Sequence, residues 1–153
     1  RQAISQKQLE MTLDVMANSL VYWVQDLVAR KLLDRGSKVF AMTSAGGHRV
    51  WAGYGAVSAA KAALESHVRQ LALELGPMGI CVNAIQAGVT DTPAARKIPG
   101  FEQLAEFVRT HNPMGRMTTP QDVAQAIAAL STPKTNWITG TIIRVDGGED
   151  IVG

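Results

Sequence analysis

Tyr54 and Lys61 are the side chains whose types and spacing could support proton transfer. They lie seven positions apart, and seven residues of an α-helix make two turns less about 20°, so both side chains can lie on one side of a helix. Tyrosine is a weak acid with an ordinary pKa of about 10, and a nearby ammonium group lowers that pKa because it stabilises the phenolate. The alternative is amphipathic surface cover, with Lys61 in a solvated ion pair with Glu65.

A helix predicted over residues 55–75 must position this pair. Its apolar residues recur every three or four positions, as in a helix with one buried face: Val57, Ala60, Leu64, Val68, Leu71 and Leu75. Before it, residues 38–43 (KVFAMT) predict a short buried strand that ends in a glycine-containing loop. Helical periodicity over residues 5–33 predicts a long first helix, which Asp34, Arg35 and Gly36 would end.

Two more strands and two more helices are predicted after the central helix. Residues 80–85 (ICVNAI) and 141–145 (TIIRV) are typical of buried strands. Residues 101–110 and 120–131 have helical patterns, the second with Thr119 as N-cap. Strands that alternate with helices indicate an α/β fold, in which right-handed crossovers cover both faces of a parallel sheet.

The composition argues against several classes of protein. The formal net charge is +2, from 15 basic and 13 acidic residues without long runs of one sign, so neither nucleic acid nor a membrane surface is an expected partner. No apolar stretch is long enough to span a membrane. The single cysteine, Cys81, allows no intrachain disulfide. No Cys and His residues have metal-ligand spacing, and we expect a cytoplasmic protein without a metal. His48, His67 and His111 are interpreted as structural.

Four segments, together with the Tyr54 and Lys61 region, resemble the C-terminal half of the short-chain dehydrogenases/reductases: KVFAMTS, ICVNAIQAG, PMGRMTTPQDVAQAIAAL and ITGTIIRVDGG. The resemblance covers nearly the whole chain and implies a Rossmann-like sheet. Most members carry the lysine four residues after the tyrosine, but here Val57 stands four residues before Lys61. The seven-residue spacing instead resembles the enoyl-acyl carrier protein reductases. Arg116 and Asp146 match family positions that are interpreted as a loop anchor and a strand-ending turn.

No strand in this sequence leads into the glycine-rich turn and helix that hold a dinucleotide pyrophosphate. The two glycine pairs are too short and wrongly placed for that role. The resemblance implies that residues 1–153 are the C-terminal part of a single Rossmann-fold domain, with the N-terminal dinucleotide-binding half absent. The strand over residues 38–43 would then lie at an open edge of the sheet.

The resemblance also implies a role for each matched residue. Enoyl reductases use NADH or NADPH to deliver hydride to the β-carbon of an enoyl thioester. Tyr54 would donate a hydrogen bond to the thioester oxygen as enolate charge develops there, and Lys61 would bond the nicotinamide ribose. The segment AGVTDT matches the loop that holds the nicotinamide carboxamide, which indicates Gly88, Thr90 and Thr92. The alternative for this segment is a turn with threonine caps.

Ser44 and Trp51 are candidates for the substrate pocket. Ser44 lies near the position of a superfamily serine that bonds the substrate carbonyl, although several enoyl reductases carry a tyrosine there. Trp51 could line an acyl pocket or pack on the core. The loop over residues 86–100 continues beyond AGVTDT, and the segment PAARKIPGFEQLAEF that follows matches one that covers the substrate.

The implied reaction is reduction of a trans-2-enoyl thioester, carried by acyl carrier protein or coenzyme A, in fatty acid synthesis. The family also implies a homotetramer, in which helices matching residues 5–33 and 55–75 pack against their copies. Two alternatives remain open. One is a carbonyl-reducing relative with unusual catalytic spacing, and the other is a non-catalytic fragment or assembly partner.

Overall fold

A three-stranded parallel sheet lies at the centre of the computed structural model, which describes residues 3–152. In spatial order, the strands are β1 (Lys38–Thr43), β2 (Cys81–Ala87) and β3 (Ile142–Val145). Ala84 lies opposite Ala41 of β1 on one side and Ile142 of β3 on the other. The predicted α/β class with three parallel strands is confirmed.

The central strand, β2, is buried over residues 81–86. A strand covered on both faces is expected to be almost continuously apolar, as this one is. Its buried polar residues are Asn83 and Gln86. Asn83 donates to the Ile138 carbonyl at 2.8 Å and accepts from the Thr141 N–H at 3.3 Å. The buried amide is therefore satisfied, and it fixes the segment that leads into β3.

The two outer strands, β1 and β3, pair with different parts of β2. β3 pairs with the end of β2, so β2 continues to Ala87, past its predicted end at residue 85. Within residues 3–152, β1 pairs with β2 alone, and its other edge is open. The prediction that residues 38–43 form an edge strand is therefore confirmed.

The long helix α3 (Gly55–Leu75) has the predicted bounds and packs against β2. Its apolar stripe joins side chains of the sheet and of the first helical segment in one core cluster. The buried members of this cluster are Ala17, Val24, Ala41, Ala60, Leu64, Val68, Leu71, Ala72, Leu75, Ile80, Val82 and Ala84. Because α3 is held along most of its length, its N-terminal end is a fixed platform for Tyr54 and Lys61.

The predicted first helix is divided by a wider turn. α1 (Gln6–Leu13) and α2 (Ser19–Ala29) are joined by a π-helical turn, Asp14–Asn18. Ser5 is the N-cap of α1 and forms a capping box with Gln8, which explains why the helix begins there. The π turn inserts an extra residue into the helical repeat, so a periodicity argument alone does not find it.

The predicted end of the first helix, near residue 33, is wrong. Regular helix stops at Ala29 because Lys31 takes a left-handed conformation with φ of 57°. The Leu32 N–H then reaches back to the Leu27 carbonyl at 2.9 Å. This is a Schellman ending, in which a residue other than glycine occupies the left-handed position. The aspartate, arginine and glycine that were predicted to stop the helix lie beyond this turn.

The remaining helices are α4 (Phe101–His111) and α5 (Pro120–Leu130). Thr119 caps α5 as predicted, in a capping box with Asp122. Arg116 donates to both oxygens of that carboxylate, at 2.7 and 2.8 Å. The hydrogen bonds from Arg116 and from Thr119 lower the pKa of Asp122. Arg116 therefore anchors the loop before α5, as interpreted from the sequence.

Lys38 at the start of β1 bonds the far end of α5. Its ammonium donates to the Leu130 carbonyl at 2.8 Å and to the Thr132 carbonyl at 2.7 Å. The Leu130 carbonyl lies in the last turn of α5, where the helix itself supplies no partner, and a cation there also complements the helix dipole. One lysine thus fastens α5 to the sheet.

The described helices include none that is both long and apolar enough to cross a membrane. Across residues 3–152, no three His, Cys, Asp or Glu side chains group as a metal site. The carboxyl ends of β1 and β2 lead into two loops, residues 44–54 and 88–100, that hold most of the candidate residues. In parallel sheets, ligands bind at such strand ends.

Candidate active site

Tyr54 is the N-cap residue of α3, so it lies at the start of the helix and not within it. Its carbonyl accepts the Ser58 N–H at 2.9 Å, which is the first hydrogen bond of the helix. Lys61 is held inside α3 on the regular helical spacing that follows. The relative placement of the two side chains is therefore set by the cap conformation as well as by the helix.

Gly46 brings Ser44 and Tyr54 together. A Cβ at Gly46 would lie 2.6 Å from Tyr54 Cε1 and 3.3 Å from Ser44 Oγ, so the tyrosine ring packs directly on the glycine. In the described chain, Ser44 Oγ is the one buried side-chain oxygen or nitrogen without a hydrogen-bond partner. Such a hydroxyl costs about 1–3 kcal/mol when nothing bonds it. A polar group of a bound ligand would offset that cost.

Lys61 crosses toward the end of β1. Its ammonium donates to the Met42 carbonyl at 2.8 Å, and an ammonium has three protons to donate. Burial lowers the pKa of Lys61, and the negative charge of Glu65 partly opposes that shift. The lysine therefore has further protons available for a ligand at the strand end, in a partly desolvated setting where its charge acts strongly.

Glu65 is buried, so its interpretation as half of a solvated ion pair is wrong. It is only 7% exposed, and the Thr43 hydroxyl donates to its Oε1 at 2.7 Å. A Cβ at Gly47 would lie 2.3 Å from the same oxygen. The carboxylate therefore links α3, the end of β1 and the turn that carries Gly46. Two sequence signals could have revealed that Glu65 is buried. They are the pair of glycines Gly46 and Gly47, and the position of Glu65 beside the apolar stripe of α3.

The loop after β2 carries two threonines with complementary hydrogen-bonding capacity. The Thr90 hydroxyl donates to the Gly88 carbonyl at 3.0 Å, which leaves its lone pairs to accept. The Thr92 hydroxyl accepts from the Ala95 N–H at 3.1 Å, which leaves its proton to donate. A primary carboxamide offers one donor group and one acceptor. Both threonines therefore bond to their own turns, and the hydrogen-bonding capacity that each has left is compatible with binding a carboxamide.

Gly88 is a close-packed position. A Cβ there would lie 2.4 Å from Thr118 Oγ1 and 2.8 Å from Glu149 Oε2. Its N–H donates to the Val145 carbonyl at 3.2 Å, as an extension of the sheet. The contribution of Gly88 visible in the structure is thus to let the loop pass between neighbouring side chains.

Trp51 connects the two loops. It is 45% exposed, and its Cζ2 lies 3.9 Å from a Cβ built at Gly100, just before α4. Its carbonyl accepts the Tyr54 N–H at 3.0 Å. The half-exposed indole therefore lies between the loop that leads to Tyr54 and the start of α4.

These residues fit the nicotinamide-ribose end of a dinucleotide. Ser44 offers an unpartnered hydroxyl, Lys61 further ammonium protons and Thr92 a hydroxyl proton. The pyrophosphate end requires N–H groups from a glycine-rich turn at a helix N-terminus. In residues 3–152, each strand is followed by a loop or a 3-10 turn and not by such a turn.

The comparison with protein families decides the classification. A family described as "Enoyl-(Acyl carrier protein) reductase" matches residues 2–149. The chain belongs to this family. The predicted resemblance to enoyl reductases is therefore confirmed.

Relatives of this enoyl reductase family chain include the NADH enoyl-[acyl-carrier-protein] reductase FabI of Bacillus cereus. It is 35% identical over 125 residues, which are 82% of this chain and 49% of the relative. FabI of Escherichia coli K12 is 32% identical over 149 residues, which are 97% of this chain and 56% of the relative. An NADPH enzyme of the same name from Staphylococcus aureus is 36% identical over 120 residues, 78% of this chain and 47% of the relative. The chain spans about half the length of the curated relatives it matches.

Solved structures of family members agree with the fold. The NADH enoyl-[acyl-carrier-protein] reductase of Aquifex aeolicus superposes with a TM-score of 0.91 at 33% identity, covering 98% of this chain and 58% of that one. The Bacillus cereus enzyme, solved with NADP+ and an indole naphthyridinone, superposes with a TM-score of 0.91 at 32% identity, covering 97% of this chain and 57% of that one. The Rossmann-like architecture of the chain is therefore that of its family.

Proposed function

We propose that this chain carries the catalytic residues of an enoyl-acyl carrier protein reductase that uses NADH or NADPH in fatty acid synthesis. The observation that carries the proposal is the group formed by Ser44, Tyr54 and Gly46 at the end of β1, with Lys61 beside it. A buried hydroxyl without a partner and a tyrosine ring both lie against Gly46, and a partly desolvated ammonium bonds the Met42 carbonyl of β1, at the strand end where a parallel sheet binds ligands. The relatives named above supply the type of reaction.

In this proposal, Tyr54 donates a hydrogen bond to the thioester oxygen. A reduced nicotinamide, when bound, would supply the hydride for the β-carbon of the enoyl group, and the negative charge that develops on that oxygen would be discharged when the α-carbon takes a proton from solvent. A donor aimed at developing charge is worth about 3 kcal/mol of transition-state stabilisation. Gly46 and the N-cap position of Tyr54 hold the ring in place for this role.

Lys61 positions the cofactor and sets the local field. Its uncommitted ammonium protons bond the hydroxyls of the nicotinamide ribose, and its charge favours the enolate. Thr92 donates to the carboxamide oxygen, Thr90 accepts from the carboxamide nitrogen, and Gly88 shapes the loop that holds both. Trp51 lines the acyl pocket.

The proposal extends to the whole protein. Residues 1–153 form the C-terminal part of a single Rossmann-fold domain, and the dinucleotide-binding half completes it along the open edge of β1. The substrate is an enoyl thioester of acyl carrier protein or coenzyme A. The complete enzyme is a cytoplasmic homotetramer, and the exposed Tyr22 and Trp23 on α2, 54% and 68% accessible, supply apolar surface for subunit contacts.

A chimera tests this function. The dinucleotide-binding half of the Aquifex aeolicus relative is fused in front of this chain, and the near-ultraviolet absorbance of NADH or NADPH is followed with crotonyl thioester. We expect loss of absorbance with the chimera and none with either half alone. Turnover of ketones or aldehydes without crotonyl turnover would overturn the enoyl assignment in favour of a carbonyl reductase. Micromolar binding of NADH by the 153-residue chain alone would contradict the proposed division into halves.

A further inference from the structure

A turn of acidic residues follows β3 at the carboxyl end of the sheet. We call Asp146, Glu149 and Asp150 the acidic turn. Asp146 gives it a defined shape, because its Oδ1 accepts the Gly148 N–H at 2.9 Å and its Oδ2 accepts the Asp150 N–H at 3.0 Å. The carboxylates of the other two residues are therefore aimed in fixed directions.

Asp150 reaches the loop between β1 and α3. Its side chain is 3% exposed, and its Oδ1 lies 2.8 Å from Arg49 Nε and 3.0 Å from His48 Nε2. Arg49 also donates to the Asp150 carbonyl. The guanidinium of Arg144, on β3, lies 2.9 Å from Oδ2. Burial alone would raise the pKa of Asp150, but hydrogen bonds from His48 and Gln86 and the nearby positive charges lower it.

Glu149 reaches the other loop. Its Oε2 accepts the Val89 N–H at 2.9 Å, and Val89 lies between Gly88 and Thr90. The same oxygen lies 2.8 Å from a Cβ built at Gly88. Burial raises the pKa of Glu149, while the Val89 hydrogen bond opposes that shift. The Glu149 carboxylate is therefore the acceptor that holds the start of the loop with Thr90 and Thr92 against the sheet.

Adjacent residues of one turn thus hold separate loops. We propose that Asp150 is a positioning residue for the loop of Ser44 and Tyr54, and that Glu149 is a positioning residue for the loop of Thr90 and Thr92. The roles in catalysis rest on the proposed function, but the positioning itself does not. Neither carboxylate touches the reacting groups, and each acts through the backbone or side chains of the loop it holds.

Amide hydrogen exchange of the 153-residue chain tests the positioning without any activity. We expect Asp150→Ala to speed exchange over residues 45–53 and to leave residues 88–92 unchanged. Glu149→Ala should do the opposite, and Glu149→Gln, which retains an acceptor, should restore slow exchange at residues 88–92. Glu106→Ala, which removes an exposed ion pair on α4, is the control and should alter neither loop.

The amides of β2 report whether each variant is folded, since that strand is buried at the centre of the sheet. If β2 exchanged slowly but each alanine variant sped up exchange equally in both loops, the separate roles of Asp150 and Glu149 would be overturned. Unchanged loops in both variants would overturn the positioning altogether. If either alanine variant loses protection in β2, the comparison is repeated with Asp150→Asn or Glu149→Asp, and the same two outcomes decide.

Kinetics of the chimera distinguish positioning from a general loss of structure. We expect Glu149→Ala to raise KM for the nucleotide about 10-fold with little change in kcat. We expect Asp150→Ala to lower kcat without raising that KM, because a misplacement of a catalytic group by about 1 Å can cost about 100-fold in rate. If kcat fell by the same factor in both variants while KM stayed unchanged, the cause would be a loss of active protein, and the proposal would be contradicted. A parent chimera without enoyl turnover would refute the proposed function and leave the exchange result standing.

Discussion

Tyr54 is the residue whose hydroxyl the proposed reaction needs most directly. Tyr54→Phe keeps the ring that packs on Gly46 and removes only the donor. We expect kcat of the chimera to fall by roughly 100-fold or more, as for other donors to an oxyanion, with little change in nucleotide binding or stability. Steady-state kinetics and nucleotide titration measure both effects.

Tyr22→Phe is the matched control for this substitution, because Tyr22 is the other of the two tyrosines in the chain. It is exposed and donates to Asp14 at 2.8 Å, away from the sheet. Activity should stay unchanged in this variant. If the two variants had equal kcat, the role proposed for Tyr54 would be wrong.

Lys61 should give nucleotide binding an alkaline limit. Burial lowers its pKa, so it loses its charge at a lower pH than an ordinary lysine with a pKa of about 10.4. We expect the affinity of the chimera for NADH to weaken as the pH rises through that lowered pKa. Lys61→Met should bind weakly at all pH values and lack this dependence, as measured by fluorescence titration.

The stability of the chain should change in the opposite direction over the same pH range. Between the lowered folded pKa and the ordinary unfolded pKa, the unfolded chain holds the proton that the folded chain has released, so this lysine makes stability rise with pH. The unfolding free energy of the parent, relative to Lys61→Met, should therefore increase on the alkaline side. A decrease there would contradict the burial of the ammonium group.

At the level of elements, the turn between β1 and α3 depends on having no side chain at Gly47. A Cβ there would lie 2.3 Å from the buried Glu65 carboxylate. We expect Gly47→Ala to lower the unfolding free energy by about 1–3 kcal/mol, as overpacking does elsewhere. Gly55→Ala is the control, because it has open space in the first turn of α3 and should be neutral or stabilising. Chemical denaturation measures both, and equal effects would refute the close packing.

Lys31 ends the first helical segment in the left-handed conformation. Glycine pays no steric cost there, so we expect Lys31→Gly to stabilise the chain by up to about 1 kcal/mol. The same replacement at Lys7, inside α1, should destabilise by up to about 1 kcal/mol. Thermal denaturation of the two variants should therefore give shifts of opposite sign, and a loss of stability at Lys31 would show that the Schellman ending is not formed.

The elements also show where sequence reasoning succeeds and where it fails. Sequence reasoning predicted β1 and α3 with their observed bounds, β1 from a short apolar run that ends in a glycine-containing loop and α3 from helical periodicity. It missed the end at Ala29, since a lysine in the left-handed region has no distinguishing pattern. It also left open whether Glu65 is solvated, because an acid four residues after a lysine has the same local pattern whether it is solvated or buried.

For the whole molecule, contacts between distant segments were beyond sequence prediction. His48 was interpreted as structural, but the sequence did not indicate its partner, Asp150, which lies 102 residues away. That contact exists because parallel strands bring all their carboxyl ends to one edge of the sheet, where the residues after β1, β2 and β3 become neighbours. The resemblance named Tyr54 and Lys61, but only the assembled sheet reveals the acidic turn beside them.

The open edge of β1 leads to a prediction for the whole molecule. Within residues 3–152 this strand has one neighbour, and Met42 on it remains 42% exposed. Exposed strand edges and apolar surface favour self-association. We expect the dinucleotide-binding half of the Aquifex aeolicus relative, fused in front, to pair with this edge, raise the melting temperature and reduce aggregation. Differential scanning calorimetry should give one cooperative transition for the chimera, with a fusion of an unrelated domain of similar size as control. Two independent transitions, one of them at the melting temperature of this chain alone, would contradict the prediction. The fused half would then not pair with the open edge of β1.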